Sequence, residues 1–149
     1  TNLYGPSDNF DPSISHVIPA LILKIFNAKK NNLDQIEVWG DGSPTRDFLF
    51  VDDAAKGIVQ AAEKYDEIPP LNLGSSEETS IKKLVSLISD ILDYDGKIVW
   101  DKSKPNGQPR RCISYIRAKE KIGFEPKTRL SDGLKQTIDW FLNRQKWEV

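Results

Sequence analysis

Amphipathic helices separated by very short strands are the feature that most limits what this chain can fold into. The clearest helix begins at Thr79 or Ser80. Its apolar residues recur every three or four positions and form one face: Ile81, Leu84, Val85, Ile88, Ile91 and Leu92. Such a face has to pack against other elements of the same chain, so this pattern predicts a layered globular domain.

Similar spacing, together with turn and capping residues, predicts the remaining helices. They are expected at residues 13–31, 52–65 and 114–122, and from 131 onward. The first has Pro19 in its first turn, and the third stops at Gly123. The expected N-caps are Ser13 or Ser15, Asp52 or Asp53, and Ser131.

Between these helices the chain offers only short strands. Strands are predicted at 36–40, 46–51, 71–74 and 97–100. The residues DGSP at 41–44 are typical of a turn, so we expect the first two strands to pair as a hairpin. The prediction is therefore an α/β fold, a small mixed domain of helices and short strand pairs instead of one wide sheet.

Composition narrows the classes of protein and of partner. A chain of 149 residues with 38% apolar residues and a net charge of −1 fits one globular domain, and it gives no reason to expect nucleic acid as a partner. No apolar run is long enough to span a membrane. The single Cys112 excludes an internal disulfide and a cysteine-based metal site, which favours a cytoplasmic location.

Two absences suggest an accessory domain. The chain contains no Met and begins in TNLYGPSDNF, which is typical of a strand running into a loop. We therefore expect residue 1 to be an interior position of a longer protein, with N-terminal processing as the alternative. No glycine-rich phosphate loop is present, so the chain offers nothing to bind a whole dinucleotide.

Three places carry side chains suited to binding or catalysis. His16 lies where the first helix begins, and Trp39 and Arg46 flank the turn at 41–44. The Pro- and Gly-containing loop KPNGQPRR brings together Lys104, Arg110 and Arg111. An indole can stack on a nucleobase, and guanidinium groups bind phosphates. The alternatives are a capping or solvent-facing histidine, a core tryptophan with a surface arginine, and a solvated basic loop.

At these residues the chain resembles a known family. The matching segments are TNLYGPSDNF, SHVIPALI, VWGDGSPTRDFLFVDDAA, LNLGSSEETSI, IVWDKSKPNGQPRR and IGFEPKTRLSDGLKQTIDWF. They resemble the C-terminal substrate-binding portion of the extended short-chain dehydrogenase/reductase family of nucleotide-sugar enzymes. Within that family they are most similar to the GDP-fucose synthase branch.

The resemblance implies roles for particular residues. Asn2, Leu3 and His16 fall on positions near the nicotinamide end of NADP, and His16 falls on the proposed acid of the epimerisation steps. The implied substrate-binding positions are Val17, Leu21, Lys24, Trp39, Arg46, Asn106 and Arg111. Lys24 stands where the family often has Arg, and Asn106 stands where Asp is usual.

The resemblance also implies an activity. The whole enzyme would be an NADP-dependent epimerase-reductase that converts GDP-4-keto-6-deoxymannose to GDP-L-fucose, and it would be a homodimer. Residues 1–149 would be its C-terminal substrate-binding domain, with residues 1–6 ending the last Rossmann strands. The catalytic Ser, the Tyr-x-x-x-Lys and the active-site Cys of the family lie N-terminal to the matching region. We therefore expect this chain alone to be catalytically incomplete and not to bind NADP.

Two other interpretations remain open from the sequence. The chain could belong to another nucleotide-sugar epimerase or to a 4,6-dehydratase, in which case the base that Trp39 contacts would differ. It could also be a stand-alone nucleotide-sugar binding module without catalysis.

Overall fold

A computed structural model describes residues 1–145 of the chain. Its helices are α1 (Val17–Lys30), α2 (Val51–Lys64), α3 (Ile81–Leu92), α4 (Ile116–Ile122) and α5 (Leu130–Gln145). Its strands are β1 (Asn2–Tyr4), β2 (Gln35–Trp39), β3 (Thr45–Phe50), β4 (Glu78–Ser80), β5 (Lys97–Asp101) and β6 (Arg110–Arg111). The mixed α/β class predicted from the sequence is confirmed.

The strands form two separate sheets. In the larger sheet β3 is central: β1 and β6 pair with it in parallel, and β4 pairs with it antiparallel. The smaller sheet consists of β2 and β5 in parallel, with Trp39 opposite Asp101. Both sheets are short, because none of their strands is longer than the six residues of β3.

The predicted hairpin between residues 36–40 and 46–51 is wrong, because β2 and β3 lie in different sheets. The turn that joins them is fixed to the beginning of α3, where the N–H groups of Lys82 and Ile81 donate to the carbonyls of Gly42 and Pro44. Gly42 also lies so close to the Trp100 ring that a Cβ atom there would be 2.6 Å from it. The turn therefore carries the chain from one sheet to the other.

The large sheet packs on both faces. Tyr4, Phe48 and Phe50 face the main apolar core, where they meet buried residues of α1, α3 and α5. Leu49 faces the opposite way and joins a smaller cluster with residues of α2, α4 and the segment after it: Ala54, Ala118, Ile122 and Phe124. No helix within residues 1–145 is both long and apolar enough to cross a membrane.

Helix beginnings differ from the sequence predictions in three of four places. Ser80 caps α3 as expected, since its Oγ accepts the Lys83 N–H at 3.1 Å. The N-cap of α1 is His16 instead of Ser13 or Ser15, although Pro19 does lie in the first turn. The His16 backbone is extended, and its side chain makes no capping hydrogen bond.

The other two capping predictions are also wrong. Phe50 is the N-cap of α2, and the Asp53 carboxylate instead accepts the backbone N–H groups of Lys127 and Thr128. Helix α5 begins at Leu130, which places Ser131 inside it. Residues 71–74 are not a strand, because their apolar side chains pack on the smaller cluster without a pairing partner in the described chain. Gly123 does end α4, in the left-handed conformation.

Candidate functional site

A cleft of about 180 Å³ lies where β1, β3 and the beginning of α1 meet. It is lined by Asn2, Leu3, His16, Val17, Ile18, Pro19, Arg46 and Phe48. Five residues of the sequence-based site are therefore brought together here: Asn2, Leu3, His16, Val17 and Arg46. Small-molecule sites usually enclose roughly 300–1,000 Å³, so this cleft can hold only part of a nucleotide sugar.

His16 stands at the edge of this cleft with a free imidazole. Its backbone is the N-cap of α1 and its carbonyl accepts the Ala20 N–H at 3.0 Å, but its side chain makes no capping hydrogen bond. The residue is exposed. The capping interpretation of the side chain is thus excluded, and the ring can reach a ligand in the cleft.

Two arginines lie side by side next to the cleft. Arg46 of β3 is paired in register with Arg111 of β6, and paired residues of neighbouring strands point to the same face. Arg46 Nη1 donates to the Thr45 carbonyl at 2.7 Å, which leaves its other N–H groups for a ligand. Within residues 1–145 neither Arg46 nor Arg111 forms a salt bridge, whereas the adjacent Arg110 pairs with Glu78. Two neighbouring cations without a carboxylate partner suit an anion.

Trp39 is the last residue of β2 and lies outside the cleft, at the end of the small sheet where Asp101 is its partner on β5. We call this end of the small sheet, with the turn after Trp39, the rim. Its side chain is 63% exposed, while Ile36 and Val38 on the opposite face of the strand are buried. Lys104 Nζ lies 5.7 Å from the centre of the Trp39 ring. The interpretation of Trp39 as a core residue is therefore wrong, and a flat aromatic surface is available.

The remaining predicted residues surround this rim or lie beneath it. Lys24 Nζ donates to the Glu37 carbonyl of β2 at 2.9 Å, which places its ammonium group between α1 and the rim. Asn106 Oδ1 accepts the Asp41 N–H at 2.8 Å, just after Trp39. Leu21 is only 6% exposed and belongs to the main core, so its side chain supports α1 from within.

Two neighbours of the site were not predicted as site residues. Phe48 lines the cleft, and strand alternation could have found it, because Phe48 lies two residues after Arg46 on the same face of β3. Lys104 belongs to the basic loop KPNGQPRR, but no sequence signal places it over Trp39, 65 residues earlier in the chain.

Two carboxylates near Trp39 already have hydrogen-bond donors of their own. Hydrogen bonds from the side chain and backbone of Ser43 lower the pKa of the Asp41 carboxyl, and those of Ser103 lower the pKa of Asp101 in the same way. Both carboxylates are used within their own turns. A larger cavity of about 460 Å³ lies elsewhere, between the ends of α1 and α3. It contains Asp34, Asp93 and Asp95 and none of the predicted site residues, so an anionic ligand is better matched by the smaller cleft.

Comparison with known proteins gives a consistent result. Residues 1–74 match the NAD dependent epimerase/dehydratase family. A putative GDP-L-fucose synthase 2 of Arabidopsis thaliana is 45% identical over 142 residues, which are 95% of this chain and 43% of that protein. The GDP-L-fucose synthase of Escherichia coli K12 is 38% identical over 154 residues, covering 97% of this chain and 48% of its own length.

Solved structures agree with these relatives. A GDP-L-fucose synthetase from Naegleria fowleri bound to NADP superposes with a TM-score of 0.90 and is 33% identical, covering 97% of this chain and 46% of that one. A UDP-glucose 4-epimerase from Thermotoga maritima, solved with UDP-glucose, has a TM-score of 0.84 and is 30% identical. The match covers 97% of this chain and 44% of that one.

The chain spans less than half the length of these relatives, while the similarity extends over nearly all of its own residues. The similarity thus continues well beyond the 74 residues that match the family model. By sequence and by fold, the chain belongs to the NAD dependent epimerase/dehydratase family and resembles the GDP-L-fucose synthases within it.

Proposed function

We propose that this chain is the nucleotide-sugar binding part of an NADP-dependent epimerase-reductase that converts GDP-4-keto-6-deoxymannose to GDP-L-fucose. The observation that carries the proposal is the pair formed by Arg46 and Arg111, which has no carboxylate partner in the described chain and lies beside a cleft with His16 at its edge. The similarity to GDP-L-fucose synthases supports the choice of substrate.

In this proposal each part of the ligand has its own contacts. The guanidinium groups of Arg46 and Arg111 hold the diphosphate, with the Lys24 ammonium as a further cation. The guanine base stacks on the exposed ring of Trp39. Val17, at the beginning of α1, contacts the sugar in the small cleft. This division fits a cleft that is too small for the whole molecule.

His16 is the proposed acid of the epimerisation. A proton has to leave and return at the carbons beside the ketone, and an exposed imidazole at the edge of the cleft can hold that proton. In a fusion of this chain to the dinucleotide-binding half of a relative, His16→Asn should slow proton exchange at those carbons by roughly 10² to 10⁴-fold. An unchanged exchange rate would leave His16 with a structural role alone.

NADPH supplies the hydride for ketone reduction, and only a small part of it can meet this chain. Asn2 and the half-exposed Leu3 lie on β1, at the edge of the large sheet, where they can contact the nicotinamide end. The chain has no glycine-rich phosphate loop for the rest of the cofactor. Calorimetry on this chain alone should therefore detect little or no NADPH binding, and tight binding would contradict the proposal.

The proposal also includes the position of the chain within the enzyme. Residues 1–149 would form the C-terminal substrate-binding domain, with residues 1–6 continuing a dinucleotide-binding sheet through the open edge of β1. Residues 146–149 of that range lie outside the described structure. We retain a cytoplasmic location and a homodimeric enzyme as parts of the same proposal.

Nucleotide titrations of this chain test the binding proposal. GDP should bind more tightly than UDP, CDP or dTDP. Arg46→Ala should weaken GDP by roughly 10- to 150-fold, the value of a charge-assisted hydrogen bond of about 1.5–3 kcal/mol. Arg46→Lys should retain part of the affinity, because it keeps the charge but loses the two-point geometry.

Arg110→Ala is the matched control, because this arginine is already held by Glu78. It should change GDP affinity far less than Arg46→Ala does. Equal GDP affinity in the parent, Arg46→Lys and Arg46→Ala would remove the diphosphate site. Tighter binding of UDP than of GDP would favour a UDP-sugar epimerase, the second candidate that the similarity to the Thermotoga maritima enzyme supports.

A further inference from the structure

We infer that Asn106 is a positioning residue, whose side chain fixes the turn after Trp39 and thereby the orientation of the indole. The inference rests on the proposed function, because the orientation of Trp39 matters for binding only if a nucleotide base lies on it. Asn106 would thus act on the ligand through Trp39 and not by touching it.

The contact that carries this inference joins two distant segments. Asn106 Oδ1 accepts the backbone N–H of Asp41 at 2.8 Å, and the two residues are 65 positions apart in the chain. Gly40 lies directly against the same oxygen, since a Cβ atom built there would be 2.2 Å from Asn106 Oδ1. With a φ of +80°, Gly40 is also in a conformation that favours glycine. The two residues after Trp39 are therefore held against one amide side chain.

Among residues 1–145 the indole is held mainly through its backbone, which pairs with Asp101, and by Lys104 on one face of the ring. Trp39 is the last residue of β2 and is 63% exposed, so packing restrains its ring on few sides. The Gly40 N–H donates to the Asp101 carbonyl at 2.8 Å, which fixes one point of the turn. Asn106 supplies a second point one residue later. Two fixed points on one side of Trp39 restrict the backbone that carries the ring.

The loop that carries Asn106 is itself anchored at the end of β5. The Asp101 carboxylate accepts the N–H of Ser103 at 3.0 Å, and the Lys104 N–H donates to the Asp101 carbonyl at 3.2 Å. Lys104 then lies over the Trp39 ring. One short loop therefore provides both the hydrogen bond behind the indole and a cation on its face. A pre-ordered ring lowers the entropy that a stacking base would have to remove on binding.

Three variants separate positioning from direct contact. Asn106→Ala removes the acceptor, and Asn106→Asp keeps an oxygen in the same place. Asn9→Ala is the matched control, because Asn9 Oδ1 accepts the Asp11 N–H at 2.9 Å in a loop away from Trp39. Two quantities are measured for each chain: hydrogen exchange of the Asp41 amide by NMR, and the ratio of GDP affinity to inorganic pyrophosphate affinity.

Asn106→Ala should accelerate exchange of the Asp41 amide and weaken GDP by about 2- to 10-fold, the range of one ordinary hydrogen bond, without changing pyrophosphate affinity. Asn106→Asp should stay close to the parent in both measurements, and so should Asn9→Ala. Positioning predicts that the exchange rate and the base-dependent part of the affinity change together in Asn106→Ala and that both are restored in Asn106→Asp.

The inference is overturned if Asn106→Ala leaves Asp41 exchange or the affinity ratio unchanged. It is also overturned if Asn106→Asp lowers the ratio of GDP to pyrophosphate affinity as much as Asn106→Ala does while the Asp41 amide stays protected, because the amide group would then contact the base directly. A parent chain that binds GDP no better than pyrophosphate would overturn the proposed base site, and this inference with it.

Discussion

The two faces of the large sheet are stabilised in different ways. One face packs Tyr4, Phe48 and Phe50 against three helices in the main apolar core. The other face has only a small apolar cluster around Leu49. This face is also held by polar contacts. The Asp53 carboxylate accepts the N–H groups of Lys127 and Thr128. Salt bridges join Glu125 to Lys119 and Lys127, and Glu67 to Lys121 and Arg117.

The candidate site belongs to the first of these faces. Arg46 shares its side of β3 with Phe48, and α1, which follows His16, is fixed by core residues such as Ile22 and Ile25. The geometry of the cleft therefore depends on apolar burial. We therefore expect that the second face can be weakened without moving the residues that would bind a ligand. This difference allows stability and binding to be changed separately.

The largest expected effect comes from removing an aromatic ring from the main core. Phe50 is 3% exposed and meets Tyr4 edge-on at 5.6 Å between ring centres. Phe50→Ala should lower the free energy of unfolding by about 3–5 kcal/mol, measured by urea denaturation. Leu49→Ala, the neighbouring residue on the other face, is the comparison. A larger loss for Leu49→Ala than for Phe50→Ala would contradict the ranking of the two faces.

A smaller effect is expected from the main polar tie of the second face. Burial raises the pKa of the Asp53 carboxyl, but hydrogen bonds from Thr128 and Lys127 outweigh that effect and lower the pKa overall. Asp53→Ala should reduce the unfolding free energy by about 1.5–3 kcal/mol, since two backbone donors lose a charged acceptor. GDP affinity should be unchanged.

Asp52→Ala is the matched control for this variant, because Asp52 is the exposed neighbour of Asp53 on α2. Its effect on stability should be within about 0.5 kcal/mol. A loss of GDP affinity in Asp53→Ala at temperatures where the chain is fully folded would mean that the two faces are coupled.

The N-cap of α3 should contribute less than the tie at Asp53. Ser80→Ala removes the acceptor for the Lys83 N–H and should cost about 1 kcal/mol in thermal or urea unfolding. Ser86→Ala, an exposed position inside the same helix, should be neutral or slightly stabilising, because Ala has the higher helix propensity. Equal losses in both variants would show that capping is not the cause.

Local features of this fold could be read from the sequence, and pairing between distant segments could not. The α3 cap and its apolar face follow from neighbouring residues, and so does Gly123 at the end of α4. The partner of β2 is β5, about 60 residues later, and no local pattern in β2 specifies it. The turn at 41–44 favoured a hairpin, but packing on Trp100 and α3 decided the outcome.

The site was predictable to a similar degree. Resemblance to a family indicated the residues, while their arrangement required the fold. The fold separates His16 and Arg46, which lie in the cleft, from Trp39 at the end of β2, and it buries Leu21 in the main core. The side-by-side arrangement of Arg46 and Arg111 depends on the two-residue strand β6. The sequence around β6 was interpreted as a loop, because a strand that short has no periodicity.

The smallest expected effect is the pH dependence of one surface tie on the second face. Hydrogen bonds from Lys127 and Lys119 lower the pKa of the Glu125 carboxyl from 4.5 to about 2. A carboxyl whose pKa is lower in the folded state stabilises the protein above its unfolded pKa, and that contribution is lost as the pH falls toward 2. The Tm of the parent should therefore exceed that of Glu125→Gln at pH 6, and the difference should disappear by about pH 2.

Glu120→Gln on α4, whose side chain is in no salt bridge within residues 1–145, should show no such trend. A Tm difference that persists at pH 2 would assign the effect of Glu125 to packing instead of charge.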